Sequence, residues 1–312
     1  MSCVFFEFSN FFVRVWGGGS EGWAQRSRSL SDTHFFSRPR RTRVPSLEKK
    51  KKQENYVFWG GREGYHTLLN TDLGLELDNL ARFMKMAVKY KKKLGFKGNL
   101  LLEPKPQEPT KHQYDWDAAT TLGFLDHYGL ASDFKLNIEC NHATLSGHSC
   151  EHELMFSSLR GALGNVDANT GDAQTGWDTD QFLTDPKESL LLAKVILKQG
   201  GLAPGGINFD AKLRRESTDL LDLFYAHISG MDALARGLRN AAEMIADGEA
   251  DEMVKKRYAS YSETALGKRI TEGKATFEEL EKVALASPDP VEAGLQSGRA
   301  ELHEVVLSRF IK

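Results

Sequence analysis

The sequence predicts an α/β protein built on a parallel sheet, and two observations carry that prediction. Short apolar runs alternate with segments of helical spacing, the order that the βα units of a parallel sheet require. The runs also end in acids: Glu103 after Leu100-Leu-Leu, Glu139 after Phe134-Lys-Leu-Asn-Ile, Asp167 after Asn165-Val, Asp178 and Asp180 beside Trp177, and Asp210 after Ile207-Asn-Phe. Acids repeated at strand ends mark one face of a (β/α)8 TIM-type barrel, where the carboxyl ends of the strands gather ligands. Five strands are too few to close such a barrel. The expected form is therefore an incomplete barrel made of C-terminal strands, with an open edge, followed by a helical arm.

Each element has its own justification. Residues 56–60, Tyr-Val-Phe-Trp-Gly, are β-rich and stop at Gly60-Gly61. Residues 72–94 place Leu73, Leu77, Leu80, Met84, Ala87, Val88 and Leu94 at helical spacing, with one stripe facing inward. Strand 99–102, helix 117–128, strand 134–139, helix 150–163 and strand 165–168 follow. Pro186 near its start and Gly200-Gly201 at its end bound a helix over 186–199. Residues 207–210 form the last strand. Beyond it, 219–246 reads as a long amphipathic helix through Leu220, Leu223, Phe224, His227, Met231, Leu234, Leu238 and Met244, with further helices over 251–266, 276–286 and 300–311. The expected division is a basic leader over 1–54, a partial barrel carrying the site over 55–218, and an arm over 219–312. The arm packs either on a partner subunit or around its own barrel.

The 312 residues are 40% hydrophobic, enough for a sizeable core, and their formal charge of −2 makes no argument for nucleic acid as a partner. The charge is unevenly spread: residues 1–54 hold 11 of the 41 Lys and Arg but 5 of the 43 Asp and Glu. The leader reads as disordered or aberrant sequence, with an Arg- and Ser-rich organelle transit peptide as the alternative. Cys3, Cys140 and Cys150 are too few and too scattered for a disulfide framework or a cysteine zinc site, which favours a reducing, cytoplasmic setting. No apolar run reaches the roughly 20 residues of a spanning helix, so a soluble protein without a membrane partner is expected.

Glu103, Glu139, His142, Asp167, Asp178, Asp180 and Asp210 offer six carboxylates and one imidazole. Oxygen-rich sites suit Mg²⁺ or Mn²⁺, and an imidazole widens the choice to Mn²⁺ and Co²⁺. Seven ligands are too many for one small ion, so two ions sharing a bridging carboxylate is the natural division. Any one of these acids, taken singly, is more often a cap or a turn residue; their collective placement is the argument. Lys105 follows Glu103 by two residues, with Pro104 and Pro106 holding the backbone extended, and a cation fixed there suits charge stabilisation at a substrate carbonyl. Trp59, before a Gly-Gly turn, reads as an apolar wall for a substrate or as core. Lys105, Trp59 and Asp180 are the candidate catalytic residues. His66, His112, His148, His152 and His227 have no comparable constellation and read as structural or surface histidines.

The runs Val57-Phe-Trp59-Gly-Gly-Arg-Glu-Gly64, Glu103-Pro-Lys-Pro-Gln-Glu-Pro109, Asn137-Ile-Glu139-Cys-Asn-His142, Val166-Asp167-Ala-Asn169, Gly176-Trp-Asp178-Thr-Asp180 and Asn208-Phe-Asp210-Ala-Lys212 resemble the xylose isomerase family in order and spacing, from about Glu54 to the C-terminus. The resemblance implies a (β/α)8 barrel, a homotetramer and two divalent ions per subunit. One ion would be held by Glu103, Glu139, Asp167 and Asp210, the other by Glu139, His142, Asp178 and Asp180. It further implies that Lys105 bonds the substrate's carbonyl oxygen, that Trp59 walls the sugar and that Glu108–Pro109 is cis. The implied reaction converts an aldose, xylose or glucose, to its ketose by a metal-assisted 1,2-hydride shift, with no nicotinamide. The lack of a glycine-rich phosphate loop agrees with a phosphate-free sugar.

Members of that family begin with further strands, one bearing a His and Asp pair that helps open the cyclic sugar. Residues 1–54 match nothing of the kind, and His34 lies in Arg- and Ser-rich sequence. The expectation is a truncated chain with poor activity on cyclic sugar although nearly all metal ligands are present. The alternative is a non-catalytic fragment that keeps an assembly surface and associates with full-length subunits. A two-metal hydrolase is a third reading, disfavoured by Glu103-Pro-Lys-Pro and Trp59.

Overall fold

The computed structural model describes residues 12–14, 55–287 and 297–312, so the leader expected over 1–54 lies outside the described residues except for 12–14. The described residues form two compact units. The first runs to Gln181 and adds Leu202–Arg214; the second takes Phe182–Gly201 and the residues from Arg215 onward.

The first unit is organised on a sheet whose strand order is β1 (Phe12–Arg14), β2 (Asn55–Trp59), β4 (Asn99–Glu103), β6 (Phe134–Glu139), β7 (Leu163–Asp167) and β10 (Ile207–Asn208). β1 is antiparallel to β2; every other pairing is parallel. Register sets Trp59 opposite Glu103 and Glu139 opposite Asp167, which brings the acids to the same end of neighbouring strands. A parallel sheet is covered on both faces, and its strands accordingly read as apolar runs rather than as alternation. Leu100, Leu101, Leu102, Leu136, Ile138 and Val166 are all buried, each worth about 1.5–3 kcal/mol of apolar burial.

The crossovers in this unit are helical. α1 (Leu73–Leu94) is capped by Asp72, whose side chain accepts from the Leu75 N–H, and it ends at Gly95 in the left-handed conformation; Leu80, Ala81, Met84 and Val88 face inward. α2 (Ala118–His127) is capped by Asp117 and α4 (Cys150–Leu159) by Ser149. Two small sheets complete the unit: β3 (Gly64–Tyr65) with β5 (His112–Gln113), and β8 (Asn169–Asp172) with β9 (Trp177–Phe182), whose last residue belongs to the second unit. The architecture is the α/β, open (β/α) arrangement that the sequence predicts.

Four details differ from expectation. The helix expected over 150–163 stops at Leu159, and the strand after it begins already at Leu163. A six-residue helix, α3 (Cys140–Leu145), follows Glu139 directly, so His142 sits on a helix rather than at a strand end. The last strand stops at Asn208, because Asp210 takes φ +40 and leaves the extended region. Cys140 and Cys150 are disulfide-bonded with their Cα atoms 4.7 Å apart, contrary to the expectation that the cysteines stand apart. The reason is local: α3 turns back onto the start of α4, bringing together residues separated by ten positions. Glu108–Pro109 is cis, as the resemblance implies, and so is Ala203–Pro204.

The second unit is helical: α5 (Pro186–Gln199), α6 (Leu220–Asp247), α7 (Glu249–Glu263), α8 (Ala265–Thr271), α9 (Phe277–Ala286) and α10 (Ala300–Ser308). The expected helix over 251–266 is thus two, divided at Thr264, which caps α8. Its core joins Leu190, Ala193, Ala241, Met244, Ala250, Val306 and Leu307. The inward face of α6 also differs from expectation. Gly230, Ala233, Gly237, Asn240, Ala241 and Met244 are buried, whereas Leu220, Phe224 and Met231 are exposed. Small residues win that face because the helices approach closely: a Cβ at Gly237 would lie 2.5 Å from the Ser189 backbone of α5. No helix among the described residues is long and apolar enough to cross a membrane.

Candidate metal centre

The carboxyl ends of the parallel strands deliver Glu103 from β4, Glu139 from β6 and Asp167 from β7, all at most 7% exposed. Three sets of side chains hold ligand atoms within 4.8 Å of one another, and Glu139 belongs to each. They are Glu103, Glu139 and His142; Glu103, Glu139, Asp167 and Asp210; and Glu139, Asp178 and Asp180. The seven residues singled out by the sequence therefore converge on one carboxylate. Asp178 and Asp180 come from β9, and Asp180 takes φ +44, a left-handed conformation uncommon for a residue with a side chain.

Asparagines that the sequence reading gave no role hold these acids. Asn137 Nδ2 donates to Glu103 Oε2 at 2.9 Å and to Asp167 Oδ2 at 2.7 Å, while Asn165 Nδ2 donates to Asn137 Oδ1 at 2.7 Å. Asn169 Nδ2 donates to Glu139 Oε1 at 2.7 Å, and Asn141 Nδ2 donates to Asp178 Oδ1 at 2.6 Å and to Asp180 Oδ1 at 3.3 Å. The available signal was Asn within or beside otherwise apolar strands, since a buried amide must find partners. Two basic residues were missed as well. Lys212 Nζ lies 2.6 Å from Asp180 Oδ2, and the Arg214 guanidinium donates to the carbonyls of Thr179, Asp180 and Lys212.

Lys105 is buried, with Nζ 2.5 Å from Asp178 Oδ2 and 5.4 Å from the centroid of the Trp59 ring. The ammonium is thus held between a carboxylate and an aromatic face. His142 Nε2 lies 3.3 Å from Glu139 Oε2 and 3.8 Å from Asp178 Oδ1. Burial, and then the Lys105 charge, push the imidazole down to about 3, so the ring is neutral and carries a lone pair at ordinary pH. Burial works against the charge of Asp178, but the charge and hydrogen bond of Lys105 hold its carboxyl below the usual range. Glu139 goes the other way: burial, then the charges of Glu103, Asp167, Asp210 and Asp180, raise it well above the ordinary carboxylate value.

The donor set itself is the test of whether a metal fits. Four carboxylates meet around Glu139, and the amides of Asn137 and Asn169 that bond them are neutral. A divalent cation there would relieve the mutual repulsion, and hard oxygens with one neutral imidazole nitrogen are a donor set that Mg²⁺, Mn²⁺ and Co²⁺ accept. The residues fit such ions.

A fourth group was not foreseen. His148, His152 and Glu153 also lie within 4.8 Å of one another. Glu153 is buried; it accepts the Ala118 N–H at 2.7 Å, and its other oxygen lies 2.7 Å from His148 Nδ1. The group ties the start of α4 to the start of α2. His112 stacks on Tyr65, and His227 meets the edge of Phe182, in keeping with structural roles.

Comparison with known proteins adds a sequence-level finding. The profile of the XylA2 C-terminal domain matches residues 254–311. The chain is 66% identical over 253 residues to a xylose isomerase of Arabidopsis thaliana, a stretch covering 81% of this chain and 52% of the relative. It is 61% identical over 283 residues to a xylose isomerase of Hordeum vulgare, covering 91% and 55%. It is 56% identical over 265 residues to one of Geobacillus stearothermophilus, covering 85% and 59%. The chain spans between half and two thirds of the length of these curated relatives.

Proposed function

We propose that this chain, which belongs with the xylose isomerases by sequence, performs metal-dependent aldose–ketose isomerisation, D-xylose to D-xylulose, by a 1,2-hydride shift. The observation that carries the reading is the convergence of three ligand sets on Glu139. Glu103, Glu139, Asp167 and Asp210 would hold one divalent ion, and Glu139, His142, Asp178 and Asp180 the other, with Mg²⁺, Mn²⁺ or Co²⁺ as the occupants. When bound, the pair supplies the concentrated positive charge that eases hydride movement between adjacent carbons bearing oxygen.

The chain's own side chains do the rest. Lys105 is a buried ammonium that exchanges its Asp178 partner for a substrate oxygen and so orients the sugar. Trp59, over which that ammonium sits, presents an apolar face that keeps water from the same oxygen. Asp180, raised by burial and then by Asp178, and opposed by Lys212, is placed beside the ligand set to take part in handling a hydroxyl proton. The partner is a small aldose. The exposed Leu220, Phe224 and Met231 of α6 support association with further copies of the chain.

The test is metal analysis joined to turnover. After dialysis against Mn²⁺, the purified chain should hold two ions and convert D-xylose to D-xylulose, slowly in keeping with the poor activity on cyclic sugar expected from its sequence, with turnover abolished by a chelator and restored by Mn²⁺. A chain holding two ions that leaves xylose, glucose and their ketoses unchanged would sink the isomerase reading.

A further inference from the structure

We propose that Cys140 and Cys150 are a positioning pair for His142: as a disulfide they fix the short helix that carries the imidazole, and as free thiols they loosen it. The inference rests on the two-ion reading above. It starts from the weakness of α3. A helix of six residues has little stability of its own. Its N-cap is Glu139, which makes no side-chain capping bond and whose carboxylate belongs to the ligand sets. His142 therefore depends on anchors supplied from elsewhere.

The anchors that reach the first turn are of two kinds. Asn141 is held by Asn169 Oδ1, which accepts its N–H at 3.0 Å, and by its own amide, which donates to Asp178 and Asp180 and so ties it to members of the ligand sets; the Cys140 sulfur, bonded to Cys150, is the covalent tie to a neighbouring helix. The far end of the bridge is firm. Cys150 opens α4, which is capped by Ser149 and tied to α2 through Glu153 and the Ala118 N–H. The bridge thus fastens an unstable helix to a stable one, two residues before the imidazole. Without it, the connection through Gly147, at φ +85, and the exposed Ser149 is free to shift relative to α4.

The pair is also addressable. Cys140 is buried and Cys150 is half-buried, so Cys150 is the sulfur that a small thiol reaches. With glutathione disulfide as oxidant, the two thiols give up two protons and two electrons. The glutathione S–S bond breaks, the protein S–S bond forms, and two molecules of glutathione leave.

The experiment uses the full chain, oxidised with glutathione disulfide or reduced with a phosphine. Alkylation with mass spectrometry counts free thiols, and Co²⁺ binding is followed by visible absorption in each state. The expected result is that both cysteines are protected in the oxidised form and that one of two Co²⁺ affinities falls about tenfold on reduction, the scale of losing a group that orients a ligand. The other affinity should hold. Cys150→Ser should bind like the reduced chain whatever the redox state; if that variant does not fold, the wild-type comparison decides alone. Two ions bound equally in both states, or Cys140 and Cys150 alkylated after oxidation, overturn the inference and leave the two-ion reading standing. No ion bound in either state overturns both.

Discussion

The four-carboxylate set and the set completed by Asp178 and Asp180 share Glu139, yet they are held by different physics. Glu103, Glu139 and Asp167 end strands whose leucines are buried, and their partners are the neutral amides of Asn137 and Asn169. Asp178 and Asp180 come from a separate two-stranded sheet, His142 comes from a six-residue helix, and lysines already lie on both aspartates. The first set is rigid and concentrates negative charge. The second is adjustable and partly neutralised. Under the proposed two-ion reading, a firm set beside a yielding one suits a reaction in which one cation stays and the other follows the changing oxygens of a substrate.

The largest effect should come from the residue common to both. Glu139→Gln should leave metal analysis with no tightly bound ion and turnover beyond detection, and a variant that keeps two ions would break the comparison at its centre. Next come paired changes that separate the sets. His142→Gln should lose one ion and keep the other, whereas Asp167→Asn should do the reverse, read as one remaining ion of different affinity by calorimetry. If each variant loses both ions, the two sets are a single site.

Smaller effects sharpen the picture. Asn141→Ala removes the amide that bonds Asp178 and Asp180, and should weaken one ion about tenfold while sparing the other. Asn137→Ala should weaken the opposite ion. An equal loss at both sites in either variant would show that the sets are mechanically one.

The last effect concerns stability against pH. Burial raises Asp115 from 3.8 to about 7, and Glu63, raised by burial and then by Asp115 and Glu76, also reaches about 7. An acid raised in the folded state binds protons there that the unfolded chain releases. Its effect is neutral below the unfolded value and destabilising as pH climbs from about 4 through about 7. Asp115→Asn should therefore stabilise the ion-free chain at pH 8 by up to about 4 kcal/mol, and by far less at pH 4. Thermal denaturation at the two pH values measures it; an equal shift at both would mean the charge is not what burdens the fold.

Much of this was legible from residues alone, for reasons that explain what was not. A parallel strand buried on both faces must be a continuous apolar run, so Leu100-Leu-Leu-Glu103 announces both the strand and the acid at its end. α3 was illegible because six residues are shorter than two helical turns and show no period. The inward face of α6 was misassigned because large apolar residues were counted, while the close approach to α5 selects Gly, Ala and Asn. The Asn137, Asn141 and Asn169 network could be suspected from buried amides but not paired, since its partners lie 28 to 41 residues away in sequence. The Cys140–Cys150 bridge depends on the turn that α3 makes, and so was hidden with it.

Gly171 carries a consequence of its own. Its backbone comes so near the buried Asn141 that an added methyl would sit 1.6 Å from Oδ1 of that side chain. Asn141 has nowhere to retreat, and its amide is what aligns two aspartates. A single carbon grafted onto β8 would act as a wedge and splay Asp178 from Asp180 without touching either. An alanine at that spot would thus mimic a defect in cation capture, and a screen for weak binders would recover it at a residue that offers no ligand atom of its own.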